Sequence, residues 1–440
     1  MLQVEEGHSR INETSVVPKR SKRVAVDLHG DPRILATVWV VLLLVGATAL
    51  LKDYIYFFLM SSGADQTSVG RFYKYANFGI AFGTLLLPYL GSWKRQFSVK
   101  AITSVPFLAL ILFSTSYSFN RVETALAAFT VVSSCAAIFV IAIYAGTWPI
   151  VAGVAWFLAL ANVLSLLVVF LTPDISIHSL DSLSIDGQLE GNWRGIFVHK
   201  NFLGQAAAFG ALITLFYPKL IGNRFISYAI SGICITNLIM SKSSTSLISA
   251  IAGILLYAVF FRKALSLKIF ARGMLALLGS VLATIYSLEF LLKILGKDST
   301  LTGRTIIWTY AVEKSKDHFL FGTGYGTFDS VFQAQMMADI FRSATHPHSG
   351  YLYQLLEVGL VGLVLWLVAL TAVLVRGGTF HGDSGEQQRA NSAVAFLVSI
   401  ALCMSLTESS PFIFGTVAGS ITFISLLANT RRQALPQERA

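Results

Sequence analysis

The chain has 440 residues, of which 55% are hydrophobic and only 13% are charged, and its mean hydropathy is +0.67. Soluble proteins carry about 25% charged residues, so this composition excludes disordered, collagenous and disulfide-framework proteins and favours a helical protein with several membrane spans. Lysine and arginine exceed aspartate and glutamate by ten, which in a membrane protein indicates basic cytoplasmic loops and not nucleic-acid binding.

Twelve apolar stretches are long enough to be candidate membrane helices. They follow a basic arm, residues 1–33, whose charged region is too long for a cleavable signal peptide, and they precede a tail at residues 430–440. The sequence therefore predicts an all-α polytopic membrane protein whose transmembrane domain covers residues 34–429. The candidate spans are residues 34–51, 73–92, 101–117, 124–145, 148–171, 201–217, 225–240, 247–261, 273–292, 351–375, 392–407 and 411–429.

The distribution of positive charge predicts how these spans are oriented. With the arm in the cytoplasm, 20 of the 33 lysines and arginines fall in cytoplasmic segments, and only seven fall in short loops on the other side. Basic residues favour the cytoplasmic side, so both termini are expected there. Two long loops, residues 172–200 and 293–350, are then external, and the second contains helix-like stretches at residues 302–318 and 328–342. Loops of this length usually carry function.

Ionisable residues are costly at membrane depth and mark functional sites by default. Under this topology ten of them fall on or near the external face, which indicates a polar site that opens outward and is built from several segments. The ten are Lys52, Asp53, Arg194, Lys200, Lys242, Arg304, His346, His348, Glu357 and Glu408.

The first long loop ends in the sequence GNWRGIFVHKNFLG, residues 191–204. Arg194 and Lys200 bracket the start of the next helix, and Asn201 is placed to cap it. A helix N-terminus presents free N–H groups that suit a phosphate, and two cations strengthen that preference. The alternative is an ordinary helix cap with cations that reach toward the membrane surface.

Two further loops contain small residues. The turn SKSSTS, residues 241–246, predicts helix caps, and its Lys242 could also contact an anionic ligand. Glycines 322, 324 and 326 follow no predicted strand, so they indicate a tight turn with close backbone approach and not a nucleotide-binding fingerprint.

The triplet His346-Pro347-His348 is the most informative motif. Proline favours the first position of a helix, so His348 is predicted in the first turn, where the helix dipole lowers its pKa and a neutral imidazole can act as a general base. A hydrogen-bonded cap and a metal site are the alternatives, and the i, i+2 spacing without a clear third ligand disfavours the metal. Glu357 is out of phase with His348 on a regular helix, so we expect it to pair with an arginine of another helix.

These motifs resemble the O-antigen ligase/polymerase superfamily of bacterial inner-membrane proteins, and most closely its exopolysaccharide production protein ExoQ group. The resemblance covers about residues 70–430. The matching patches are RGIFVHKNFLG (194–204), SKSSTSLI (241–248), TGRTIIW with GTGYGTF (302–308 and 322–328) and HPHSGYLYQLLEVGLVG (346–362).

The resemblance implies a GT-C-like glycosyltransferase of the inner membrane with a periplasmic active site. Such an enzyme transfers a saccharide from an undecaprenyl-diphosphate carrier to an acceptor glycan and needs no cofactor or metal. The implied partners are this lipid-linked oligosaccharide, the acceptor glycan, membrane lipids and other polysaccharide assembly and chain-length proteins. The HKN patch at residues 199–201 favours a polymerase, with an O-antigen ligase and a saccharide transporter as alternatives.

The resemblance also implies roles for individual residues. Arg194, Arg304 and His348 match the catalytic positions, although the family commonly has asparagine where this chain has Ser349. His346 is a second candidate base, and Asp53 is an acidic alternative. The residues expected to bind substrate are Lys200, Asn201, Lys242, His346, Tyr351 and Glu357.

Overall fold

The computed structural model describes residues 32–48, 75, 78–86, 95, 97–99, 101–179, 189–261, 304–340, 346–379 and 385–432. This part of the chain is mostly helical, as the sequence predicts. The basic arm before residue 32, the candidate span at residues 273–292 and the alternative base Asp53 lie outside the described residues.

Helices follow one another along the described chain with short connections. The longer ones are α1 (Pro32–Thr48), α2 (78–86), α3 (Val105–Tyr117), α4 (Arg121–Ala145), α5 (Thr147–Leu171), α6 (Lys200–Phe216), α7 (Arg224–Met240), α8 (Ser244–Leu256), α9 (Arg304–Ser315), α10 (Gly350–Thr379), α11 (Gly385–Met404) and α12 (Val417–Ala428). Shorter helical turns lie at Ala101–Thr103, Pro173–Ser176, Pro218–Leu220, Tyr257–Phe261, Lys316–His318, Asp329–Gln333, Ala334–Asp339 and Ser410–Phe412. Strands β1 (Phe97–Val99) and β2 (Thr430–Arg432) pair antiparallel, with Ser98 opposite Arg431.

Four described helices are long and apolar enough to cross a membrane: α4, α5, α8 with its π-helical extension, and α10. Eleven of the candidate spans overlap a described helix, and shorter apolar helices include α3, α7 and α12. The helical membrane fold is therefore confirmed, while the number of twelve spans and the side on which each loop lies stay predictions. The stretches expected to be helical in the second long loop contain α9 and the short helix Ala334–Asp339.

Helix α11 begins earlier than the apolar pattern predicts, because its first turns carry buried polar residues. The side chain of Gln387 donates to the hydroxyls of Thr147 and Thr430 at 2.8 and 2.7 Å. Asn391 accepts from Thr147 at 2.7 Å and donates to the Thr430 carbonyl at 2.9 Å. Buried polar groups are tolerated when they are hydrogen-bonded, and these bonds join the starts of α5 and α11 to β2.

Helix α10 is broken at Gly359, which has φ 67° and ψ −171°. The segment between Phe319 and Phe328 fills the break with backbone hydrogen bonds. Its amides of Thr323 and Gly324 donate to the carbonyls of Leu356 and Glu357 at 3.1 and 2.8 Å, and its carbonyls of residues 319 and 320 accept from the amides of residues 360 and 361. The backbone groups that the break releases are therefore paired, as they must be in an apolar interior.

The glycines of this inserted segment make the tight turn with close backbone approach that the sequence predicts. Gly322, Gly324 and Gly326 all have positive φ, at 69°, 117° and 77°. A Cβ on Gly322 would overlap the backbone of Glu357, and one on Gly324 would overlap the side chain of Ser118. Only glycine fits such positions without strain.

Gly359→Ala is expected to destabilise the protein by at least about 2 kcal/mol, because alanine resists positive φ and its Cβ would overlap the Leu320 carbonyl. Thermal unfolding of the detergent-solubilised protein measures the effect. Gly232→Ala in α7 is the matched control, since no atom lies within 4 Å of its added Cβ and alanine favours helix. Equal unfolding temperatures for the two variants would contradict the structural role of the break.

Candidate active site

Arg304, the first residue of α9, binds the loop that follows α11. Its Nη1 donates to the Thr407 carbonyl at 2.9 Å, and its Nη2 lies 3.9 Å from Oε1 of Glu408. The same carboxylate oxygen accepts from Nδ2 of Asn201 at 3.3 Å. Arg304, Asn201 and Glu408 thus join the two long loops of the sequence analysis at one place.

Glu408 is 6% exposed. Burial raises the pKa of this carboxyl to about 7, against the opposing effects of Arg304 and a hydrogen bond with Thr245. The sequence placed Glu408 among the costly residues but assigned it no part in the site. In the structure it orients Arg304 and supplies a carboxyl among several cations.

His346 and His348 lie side by side, with ring centroids 5.2 Å apart. The prediction that Pro347 begins the helix is wrong, because α10 starts at Gly350 and His348 precedes it with φ 48°. The Gly350 amide donates to the Ser405 carbonyl at 2.8 Å, and the Pro347 carbonyl accepts from the indole of Trp308 at 2.9 Å. These bonds to α9 and to the end of α11 hold the triplet outside the helix.

Burial and, to a smaller extent, the nearby His346, Arg304 and His199 together lower the pKa of His348 to about 3. The predicted direction is correct, but desolvation and neighbouring cations cause the shift, not a position in the first turn of a helix. The imidazole is therefore neutral at pH 7. Its buried Nδ1 has no hydrogen-bond partner among the described residues.

Two histidines to which the sequence analysis gave no role in the site, His178 and His199, cap helix α6. The Lys200 amide donates to Nε2 of His178 at 3.3 Å, and the Asn201 amide donates to Nδ1 of His199 at 3.2 Å. The next two amides donate to the His199 carbonyl at 3.0 and 3.4 Å. The expectation of free N–H groups for a phosphate is therefore wrong, and the cap is His199 and not Asn201.

The two imidazoles lie 5.4 Å apart between ring centroids. Burial and, to a smaller extent, the charges of Arg194 and Lys200 together lower the pKa of each to about 4. His346 also acts on His199, so the histidines of the first loop lie next to those of the second. His178 lies far from α6 in the sequence, so no helical or strand periodicity predicts that it caps this helix.

The remaining cations surround these histidines. Nε of Arg194 donates to the Ile175 carbonyl at 2.6 Å, which fixes the guanidinium beside His178. Lys242 is exposed, has φ 49° and lies close enough to Lys200 for their charges to repel. Arg194 and Lys200 act on His178 and His199, and Arg304 and His199 act on His348. These cations therefore lie around one cluster of histidines, where an anion would offset their charge.

Tyr351 and Glu357 bond within the protein. The Tyr351 hydroxyl donates to the Leu402 carbonyl at 3.0 Å, and Glu357 is 1% exposed and accepts from the Phe328 amide at 3.1 Å. Glu357 thus holds the segment that fills the break in α10. The expectation that it pairs with an arginine of another helix is wrong among the described residues. The structure brings neither polar group to the histidines.

The metal alternative gains no support from the described part of the chain. Its histidine, cysteine and carboxylate side chains form no group of three or more that could hold a metal ion.

Two comparisons with known proteins indicate the family that this chain resembles. Residues 229–367 match the family model described as O-Antigen ligase, a span that includes Lys242, Arg304, His346 and His348. The chain is also similar to the exopolysaccharide production protein ExoQ of Rhizobium meliloti (strain 1021), with 27% identity over 264 residues. The match covers 54% of this chain and 60% of that relative, which is less than two thirds of the relative's length.

Lowering the pH from 8 to 5 is expected to destabilise the protein. The pKa values of His178, His199 and His348 lie below the ordinary 6.5, so the unfolded chain binds these protons first. Their contribution to the free energy of unfolding is complete above pH 6.5. Below pH 6.5 each histidine loses about 1 kcal/mol of this contribution for every pH unit. Thermal unfolding followed by tryptophan fluorescence measures the loss.

Glu408 opposes this trend, because its raised pKa lets the folded protein take up a proton first. Glu408→Gln removes this proton uptake, so the free energy of unfolding of the variant should fall more steeply between pH 7 and pH 5 than that of the wild type. A stability that stays constant below pH 6.5 in both proteins would contradict the buried, neutral histidines.

Proposed function

We propose, on the premise that the chain belongs to the O-antigen ligase/polymerase superfamily near ExoQ, that it polymerises exopolysaccharide or O-antigen. It would join undecaprenyl-diphosphate-linked oligosaccharide repeat units at the periplasmic face of the bacterial inner membrane, with both termini in the cytoplasm. The observation that carries this proposal is that a buried, neutral imidazole, His348, lies beside Arg304, while Arg194 and Lys200 flank the neighbouring His199. An acidic lipid-linked donor and a hydroxyl acceptor need these two kinds of group together.

In the proposed reaction an acceptor hydroxyl oxygen attacks the anomeric carbon of the donor saccharide. The bond between that carbon and the phosphate oxygen breaks, and the electron pair leaves with the lipid diphosphate. His348 takes the hydroxyl proton, with the unpartnered Nδ1 as the candidate atom. Attack opposite to the leaving group inverts the configuration of the anomeric carbon.

The cations stabilise the charge that develops on the leaving diphosphate. Arg304 is held by Thr407 and Glu408, so its guanidinium is oriented before the substrate arrives, which is how electrostatic stabilisation is most effective. A bound diphosphate would also offset the cations that lower the pKa of His348. The imidazole would thereby become a stronger base when the donor is in place.

A ligase would use the same chemistry with a lipid A core as the acceptor. Incubation of the purified protein with lipid-linked repeat units, followed by sizing of the products on a gel, separates the two. A ladder of products supports the polymerase, and a single adduct on another lipid supports the ligase.

The break in α10 is the one observation that favours a saccharide transporter, because carriers build substrate sites from broken helices. Here, however, the released backbone groups of α10 are bonded to residues 319–324, which leaves them unable to coordinate a substrate. Saccharide flux into proteoliposomes without formation of a glycosidic bond would favour the transporter.

His348→Ala is expected to abolish polymer formation while the protein still inserts into the membrane and unfolds near the wild-type temperature. His318→Ala is the matched control, since His318 is exposed and only contacts the ring of Phe119. The gel assay of product length measures both variants. Full activity of His348→Ala, with loss of activity in Asp53→Asn, would move the role of base to Asp53, and loss in His346→Ala alone would move it to His346.

Arg304→Lys is expected to slow polymer formation about 100-fold, since lysine keeps the charge but loses the planar fork that binds Thr407 and a phosphate together. The initial rate at saturating donor measures the effect. Arg431→Lys in β2, where the residue is exposed, should leave the rate unchanged. Equal rates for both variants would remove Arg304 from the reaction.

A further inference from the structure

We infer that His178 and His199 bind the anionic oxygens of the substrate as neutral hydrogen-bond donors, each held in one tautomer by a backbone amide of α6. The inference deepens the proposed function, on which it rests for the identity of the ligand as a lipid-linked diphosphate. Neither histidine has a part in the reaction described above.

The tautomers follow from the direction of two hydrogen bonds. A neutral imidazole has one N–H donor and one acceptor nitrogen, and an imidazolium has no acceptor. Nε2 of His178 accepts from the Lys200 amide, so its proton is on Nδ1. Nδ1 of His199 accepts from the Asn201 amide, so its proton is on Nε2. The caps of α6 thus convert two backbone donors into two imidazole donors.

The Nδ1–H of His178 needs a partner that the described protein does not supply. His178 is 5% exposed, and its Nδ1 has no hydrogen-bond partner among the described residues. A buried N–H without an acceptor costs about 1–3 kcal/mol. A ligand oxygen that accepts from this N–H would offset the cost, which explains why a protein tolerates such a group.

The neighbours of the two histidines indicate the class of that ligand. The charged groups that act on them are Arg194 and Lys200, joined for His199 by His346, and no carboxylate of the described chain is among them. Cations and N–H donors together suit a ligand that only accepts hydrogen bonds, such as a phosphate or diphosphate. A sugar hydroxyl would also need an acceptor for its own proton.

The helix reinforces this preference. The N-terminus of α6 carries the positive end of the helix dipole, and the amides there are occupied by the imidazoles. Because hydrogen bonds in series polarise one another, each imidazole passes part of that positive potential to its outer N–H. The site therefore binds an anion through the caps of the helix, not through its backbone.

Nitrogen NMR of the full chain, labelled with ¹⁵N-histidine and reconstituted in lipid nanodiscs, tests the tautomers at pH 7. His178 should show protonation at Nδ1, the rarer neutral tautomer, and His199 protonation at Nε2, with His178→Gln and His199→Gln used to identify the signals. Added inorganic pyrophosphate should shift the N–H signals of both. An imidazolium, or protonation of the opposite nitrogen in either ring, would overturn the inference.

Binding of inorganic pyrophosphate to the detergent-solubilised full chain, measured by calorimetry, tests the contribution to affinity. His178→Leu should weaken binding about tenfold, the loss of one hydrogen bond to a charged ligand. His178→Gln can still accept from the Lys200 amide, so it should keep the unfolding temperature of the wild type and bind more tightly than the leucine variant. His318→Leu should bind as the wild type does.

Wild-type affinity for pyrophosphate in His178→Leu would overturn the inference. If that variant does not fold, wild-type N–H signals of His178 and His199 that do not shift when pyrophosphate is added would overturn it equally. These measurements need no polymer synthesis, so they separate the two proposals. If the protein makes polymer but binds pyrophosphate equally well without His178, the proposed function stands and this inference fails. If it makes no polymer but binds pyrophosphate through His178, the anion site stands and the proposed function fails.

Discussion

The structure depends on the pairing of the backbone groups that the break in α10 releases. In an apolar interior, unpaired carbonyls and amides cost several kcal/mol each, and here the segment between Phe319 and Phe328 pairs them. Glu357 secures the same segment through the Phe328 amide. The break therefore fixes the second long loop to α10, and Arg304 and His348 lie near the two ends of the described part of that loop. The break brings the two groups near α10, and the bonds of Arg304 to Thr407 and Glu408 and of the Pro347 carbonyl to Trp308 complete their placement.

Burial and positive charge act together on the site that this constraint creates. Burial favours neutral imidazoles, and the surrounding cations strengthen the effect at His178, His199 and His348. Glu408 is affected in the opposite sense, since burial raises the pKa of its carboxyl to about 7. The site thus limits its own positive charge through neutral histidines. Its permanent cations remain available to an anionic ligand.

Sequence patterns predict those features that depend on residue type and spacing along one segment. The helices, the turn at the three glycines and the cations Arg194, Lys200 and Arg304 are of this kind. The caps of α6 are not, because His178 reaches the Lys200 amide across the first long loop and no periodicity records such a bond. The start of α10 at Gly350 and the partner of Glu357 likewise depend on segments distant in sequence. The helical phase between His348 and Glu357 does not apply, since His348 lies before the start of α10.

The electrostatics of the site also relate donor binding to acceptor activation. With a pKa near 3, which burial lowers most and the nearby His346, Arg304 and His199 lower as well, His348 is a weak base in the free site. A diphosphate among Arg194, Lys200 and Arg304 would supply the missing negative charge and raise that pKa, because an opposite charge favours the protonated imidazole. His178 and His199 would bind the same diphosphate without adding charge of their own. Binding of the donor would therefore make His348 a stronger base toward the acceptor hydroxyl.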